Sequence, residues 1–171
     1  MLKIKTQLKS GFSIIEIIVA LFIISIGMIG VLSLIVQNIQ SQNVNKGALI
    51  AAQLAQEGIE LIRHTRDSNW AAAQAWNTNL APGHYIIDYR LAAPRAISFS
   101  NQEHLRQDAT GYYYNPDLST DLNPDSGYAR TIDIVANPGN ASSIYVKAAI
   151  SWSDHNKNFS YVVDTILYDW K

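Results

Sequence analysis

Between Glu16 and Lys46 the chain carries no charged side chain, and that interval decides most of what it can fold into. Ile17 to Val36 is almost wholly apolar, broken only by Ser25, Gly27, Gly30 and Ser33. Its twenty residues, at about 1.5 Å of rise each, make a helix of roughly 30 Å, the thickness of a bilayer's hydrocarbon core. A helix apolar on every face needs an apolar solvent all round, and lipid is that solvent. Lys3, Lys5 and Lys9 precede the span with no acid among them, and the flank beyond it, Gln37 to Asn45, is polar but uncharged. The positive-inside bias then keeps the N-terminus in the cytoplasm and exports the rest of the chain. A secretory signal peptide fits less well. Its apolar region is shorter and ends in an Ala-x-Ala-like site, whereas this run ends in Val36-Gln37-Asn38.

Glu16 is the odd residue at the edge of this run. An ionised side chain inside a membrane helix costs about 2.5–3.5 kcal/mol at mid-span and less near an edge, so the carboxylate calls for a partner. A cut after Gly11 supplies one, because Phe12 then carries a new α-amine. In an assembly of staggered parallel helices, one chain's Glu16 neutralises its neighbour's amine, and the buried pair sets the axial register.

The leader with its lysines, Gly11, Phe12 and Glu16 within Gly-Phe-Ser-Ile-Ile-Glu, and the continuation Ile-Ile-Val-Ala-Leu-Phe-Ile-Ile-Ser-Ile-Gly-Met-Ile-Gly resemble the type IV pilins and pseudopilins, minor pilins in particular. The resemblance implies cleavage after Gly11 by a membrane prepilin peptidase, N-methylation of Phe12, and extraction of the subunit from lipid into a helical fibre. It also implies a "ladle" fold, a long helix with a sheet-bearing head. Glycine suits the scissile position because it lets the backbone lie extended and close to a protease. One departure stands out. Many major pilins carry a proline inside this helix; the matching place here is Ser33, and no proline occurs before Pro82. Gly27 and Gly30 give softer backbone instead, a pattern closer to a minor pilin or pseudopilin.

Helical periodicity continues beyond the apolar run. Ala48, Ala52, Ala55, Ile59 and Ile62 form one apolar stripe, widened by Ile50, Leu54, Gly58 and Leu61. This predicts an amphipathic helix continuous with the first, ending near Arg66 to Asn69, its apolar face buried on a sheet. Two helices broken at Ser41 to Gly47 are the alternative, given Gly47. After Trp70 the period becomes two. Tyr85, Ile87, Tyr89 and Leu91 alternate with His84, Ile86, Asp88 and Arg90, and Tyr128, Ile132 and Ile134 with Thr131, Asp133 and Val135. Ile144, Val146, Ala148, Ile150 and Trp152 share one strand face. Phe159 to Trp170 makes the last strand, with Phe159, Tyr161, Val163 and Leu167 on one side. The last two strands should form an antiparallel hairpin, and a shorter one should turn at Asp108-Ala109-Thr110-Gly111. The fold class is therefore α+β: a long N-terminal helix, transmembrane in its first half, packed on a C-terminal antiparallel β head. The divisions expected are a leader over 1–11, a membrane and assembly helix over 12–36, its amphipathic exported half over 37–69, and the head over 70–171. Ser151-Trp152 and Leu167-Tyr168-Asp169-Trp170 also resemble pilin-like heads.

The sequence carries no constellation for catalysis. There is no cysteine, so thiol chemistry, disulfides and thiolate metal sites are excluded. His64, His84, His104 and His155 make no metal-ligand spacing. Ser151, Asp154 and His155 share a turn without a nucleophile elbow, and no phosphate-binding glycine loop occurs. In the segment Asn115 to Gly127, Asp117, Ser119, Asp121, Asn123 and Asp125 place an oxygen at every second position. Asp117, Asp121 and Asp125 are weak calcium candidates, because some pseudopilin heads hold calcium in such a loop. Yet Leu122 stands where an EF-hand needs glycine, and no glutamate closes the loop, so a solvated turn-rich loop is the simpler reading. Trp70, Trp76 and the run Tyr112–Tyr114 are read as core before contact surface.

No cofactor and no enzymatic activity are expected. The expected partners are the prepilin peptidase, other pilin subunits through the N-terminal helix, the pilus or secretion assembly machinery, and membrane lipid before assembly. The subunit would sit in the cytoplasmic membrane as a single pass and then in a periplasmic or extracellular fibre. Loss of residues 1–11 leaves ten basic against fourteen acidic side chains, a formal charge of −4, which argues against strong nucleic-acid binding. The role expected is a minor pilin or pseudopilin; a type II secretion pseudopilus component and a fibre-tip adhesin or DNA-uptake subunit are the alternatives.

Overall fold

The computed structural model describes residues 11, 13–98, 104–116 and 123–170. Among the described residues one helix, α1 (Ile14–Ala71), precedes seven strands: β1 (Gly83–Ile86), β2 (Arg95–Ala96), β3 (His104–Gln107), β4 (Tyr113–Tyr114), β5 (Asp125–Ala136), β6 (Ser143–Asp154) and β7 (Lys157–Tyr168). All described pairings are antiparallel, so the chain has the α+β layout of a long apolar N-terminal helix followed by an antiparallel sheet. It divides into two compact units, Met1–Asn43 and Val44–Lys171.

In the first unit every described residue is exposed. Ser25 Oγ donates to the Leu21 carbonyl at 2.7 Å, so that hydroxyl needs no water.

The second unit holds the core. α1 is unbroken through Ser41–Gly47, and its buried positions are Gly47, Ala51, Leu54, Ala55, Gly58, Ile59, Ile62, Thr65 and Asn69. The expected stripe is therefore correct at Ala55, Ile59 and Ile62 but displaced at its start, since Ala48 and Ala52 are only half-buried. The reason lies in the sheet. A Cβ on Gly47 would come within 2.7 Å of Trp152 Nε1, and one on Gly58 within 2.8 Å of Ile132 Cδ1. The helix presses closest where it has no side chains, and its buried face centres on those glycines. Ile59 and Ile62 join Ile132, Ile134, Val146, Ala148 and Ile150 in one core cluster. Burial of each large aliphatic side chain contributes about 1.5–3 kcal/mol.

β5 is the hub of the sheet. It pairs with β6 from Tyr128↔Trp152 to Ala136↔Ile144, and it also takes β3 beside its first half and β1 beside its second. β6 and β7 form the expected hairpin in continuous register from Ser143↔Tyr168 to Asp154↔Lys157. Its turn residues His155 and Asn156 have φ of 46° and 64°, the left-handed pair that a two-residue hairpin turn requires. β3 and β4 form the short hairpin around Asp108–Gly111.

Two strand expectations need correction. The strand beginning at His84 does not reach Leu91: it ends at Ile86, and Tyr85, Ile86, Ile87 and Asp88 are buried in succession while Tyr89 is exposed. Asp88 ends the alternation because its carboxylate accepts from the Arg90 backbone N–H at 2.8 Å, a local turn that competes with the ladder. The last strand ends at Tyr168, not Trp170. Tyr161, expected on the buried side, is exposed, as suits a strand that among the described residues pairs with β6 alone. Trp170 instead meets the Trp70 ring edge-on at 4.5 Å.

Gly47→Ala should lower the unfolding free energy by about 1 kcal/mol, although alanine favours a helix interior by a similar amount. Trp152 is confined by Phe159, stacked at 5.5 Å, and by Tyr128 at 6.0 Å, so the ring has little room to retreat. Chemical denaturation of the two proteins checks this; a stabilised variant would show that the close approach is looser than described.

Candidate functional site

The residues singled out near the N-terminus lie at the start of α1. The Ser13 carbonyl accepts from the backbone N–H of Glu16 at 3.0 Å and of Ile17 at 3.2 Å, which makes Ser13 the N-cap and places Glu16 in the first turn. Ser-x-x-Glu at a helix start is the capping-box pattern, and a carboxylate there also meets the positive end of the helix dipole. That signal was present in Ser13-Ile14-Ile15-Glu16 and was overlooked in reading Glu16 as a residue that only another chain could satisfy. Among the described residues Glu16 has no ion pair, and it is exposed together with the whole apolar run after it. Gly11 is exposed, and among the described residues nothing lies within 4 Å of where its Cβ would stand. Phe12 lies outside the described residues.

In the second unit the charges that matter are ones the alternation concealed. Arg130 lies on the inward face of β5 with Tyr128, Ile132 and Ile134 and is 1% exposed. Its guanidinium donates to the Leu54 carbonyl at 3.0 Å and to the Ile87 carbonyl, and it meets Glu57 Oε2 at 3.1 Å. Burial pushes its pKa down, while Glu57 and the nearby Asp88 carboxylate oppose that shift. Asp88, 0% exposed, accepts from the Asn115 N–H at 2.7 Å. A basic residue at an inward position of a strand was the available signal. Arg130 is buried and Glu57 only half-buried, so loss of Glu57 would leave a buried cation short of its counter-charge, and these groups together hold helix, sheet and loop.

The remaining candidates separate. Asp117 and Asp121 lie outside the described residues. Asp125 opens β5, accepts from the Gly127 N–H at 2.8 Å and pairs with His104 Nδ1 at 2.8 Å. Partial burial raises its pKa, but those donors and the nearby cations outweigh it and leave the carboxyl below its usual value. Among the described residues no group of three or more His, Asp or Glu side chains is placed to hold a metal. His84 pairs with Asp133 at 2.6 Å, and His155 with Asp154 at 2.7 Å in the β6–β7 turn; His64 is exposed. The aromatic run divides. Tyr114 and Trp76 are buried, as expected of core residues, whereas Tyr112 is 65% exposed and Trp70 is half-buried.

Asp108 organises the β3–β4 turn. It accepts from the Thr110 hydroxyl at 2.6 Å, from the N–H groups of Thr110 and Tyr112, each at 2.9 Å, and from the Tyr89 hydroxyl at 3.0 Å. The Thr110 hydroxyl is foremost among the donors that lower its pKa from 3.8 to about 2. Since the folded value is the lower one, the stabilisation is present above about 3.8 and is lost as pH falls toward about 2. Asp108→Asn should therefore show a shallower fall in melting temperature between those pH values than the unaltered chain; equal slopes would remove Asp108 from the account.

Residues 7–32 match the family described as the prokaryotic N-terminal methylation motif, the signature of type IV pilins and pseudopilins. No curated protein and no solved structure matches the chain with significance. The motif points to a structural subunit and not to an enzyme, and the long apolar helix that contains most of it fits a transmembrane helix.

Proposed function

We infer that the chain is the precursor of a pilin-like subunit, cut between Gly11 and Phe12, methylated on the new amine and assembled through α1 into a fibre. One observation carries the reading: the methylation motif over residues 7–32 coincides with a lone carboxylate, Glu16, in the first turn of an exposed apolar helix. The physical chemistry is consistent. A cut before Phe12 sets a positive amine beside the positive end of a helix dipole, an unfavourable placement until a carboxylate approaches. In lipid, Glu16 is the costly group; in a bundle of such helices, the amine and the carboxylate of neighbouring chains cancel.

On this reading residues 1–11 are the leader, 12–36 the part that leaves lipid for the bundle, 37–69 the exported half of the helix and 70–171 the head. The prepilin peptidase and the assembly machinery act on the first two, and the head ends outside the cytoplasm. Ser33, in the place where many major pilins carry proline, favours a minor pilin or a pseudopilin of a type II secretion machine over the bulk subunit of a pilus.

Glu16→Gln separates charge from shape. The variant should insert and be cleaved as usual, since an intramembrane charge has been removed, yet should be lost from sheared fibres and from the methylated pool. Fractionation with immunodetection, and mass spectrometry of the N-terminal peptide, measure both. Normal assembly of Glu16→Gln would mean that the charge of Glu16 plays no part in the fibre.

A further inference from the structure

Beside the Glu57–Arg130 pair lies a cleft of about 560 Å³ lined by Ile50, Gln53, Leu54, Glu57, Tyr89 and Gly111, with Tyr112 and Tyr113 completing its wall. That volume is within the range of small-molecule and side-chain pockets. Its lining joins Ile50 and Leu54 of α1 to three tyrosines. Those tyrosines have contacts of their own. Tyr89 donates to Asp108 at 3.0 Å and packs on Tyr112 at 5.7 Å, while Tyr113 meets Tyr128 edge-on at 6.2 Å. Glu57 is held as well. Arg130 fixes its Oε2, and among the described residues its Oε1 takes no partner.

The charge that lines the cleft is negative. Among the described lining residues there is one carboxylate and no lysine or arginine. Asp108, which also receives the Tyr112 N–H, adds a second negative charge at the rim. Two cations among the described residues lie nearby and both are engaged: Arg130 with Glu57 and two carbonyls, and Arg90, whose charge reaches Tyr89, with Asp88, the Asn115 carbonyl and the Tyr114 ring. Tyrosine faces attract cations within about 6 Å of the ring centre, more strongly where water is excluded. Exposure of Tyr112 at 65% and of Tyr89 at 48% leaves those faces open to an incoming group.

We propose that this cleft binds an aliphatic cation: an ammonium or guanidinium group on a short methylene chain, its charge against Glu57 and the tyrosine faces and its chain on Ile50 and Leu54. A free amine and a lysine or arginine side chain of another protein share that chemistry. Neither Gly11 nor Glu16 is among the residues that line it.

The test uses the full chain in uncharged detergent micelles, with tyrosine ring resonances followed by NMR during titration. Agmatine is the free-amine probe, a short arginine peptide with blocked termini is the side-chain probe, and 1-pentanol is the uncharged control. Saturable shifts of Tyr112 and Tyr89 with agmatine or the peptide, and none with 1-pentanol, are expected. The tighter of the two cations identifies the source. Tyr112→Phe should retain binding and Tyr112→Ala weaken it about ten-fold, with circular dichroism melts showing both variants folded. Equal shifts with 1-pentanol, unchanged affinity in Tyr112→Ala, or no saturable shift with either cation would each overturn the proposal.

Discussion

The close approach of α1 to β5 and β6, made possible at Gly47 and Gly58, sets the conditions for everything else in the head. Eleven residues are three helical turns, so the two glycines lie on one face of α1, each opposite a core side chain, Trp152 or Ile132. With the helix backbone so near the sheet, Arg130 reaches the Leu54 carbonyl and Glu57 from the inward face of β5. The same guanidinium holds the Ile87 carbonyl, and Asp88 next to it anchors the Asn115 backbone. An ion pair with one buried member adds little net stability over apolar packing, but its geometry admits few alternatives. Here it ties three separate stretches of chain to one point, and the Tyr89–Tyr112 wall stands beside it.

The two halves of α1 carry different kinds of surface. Up to Asn43 the described helix buries nothing, and the only charge it holds is Glu16. From Gly47 onward a buried position recurs every three or four residues, with Gln53, Gln56 and Glu60 on the exposed side. One half needs an apolar surrounding supplied from outside the chain, and the other brings its own sheet. That division is what a subunit requires if it must wait in lipid and then exchange lipid for like helices, because neither surrounding demands a change in the head. The methylation motif lies in the half that lacks a partner.

Much of this was legible in the sequence because it is written in periodicity. A charge-free interval, a stripe at helical spacing and runs of period two each reflect one dominant force, burial, acting on one element at a time. The β6–β7 hairpin and the continuous helix follow from such patterns. What was not legible depends on two elements meeting. The stripe was misplaced at Ala48 and Ala52 because glycine scores as a helix weakness, whereas Gly47 and Gly58 are where the sheet comes closest. Arg130 broke an otherwise regular alternation and was passed over, since a charge at an inward position has meaning only once Glu57 is seen opposite. The strand through Tyr89 failed because Asp88 turns the backbone with its own side chain. At the N-terminus, Glu16 stands out as a carboxylate beside an apolar run and Gly11 through the resemblance to prepilins, whereas Ser13 at the helix N-cap follows from local backbone rules.

Maturation at Gly11-Phe12 is decided by the intact mass of the protein recovered from membranes or shed fibres. The expected chain begins at Phe12 and carries one methyl group on its amine. Retention of Met1, or a mature start near residue 40 beyond the apolar run, would contradict it.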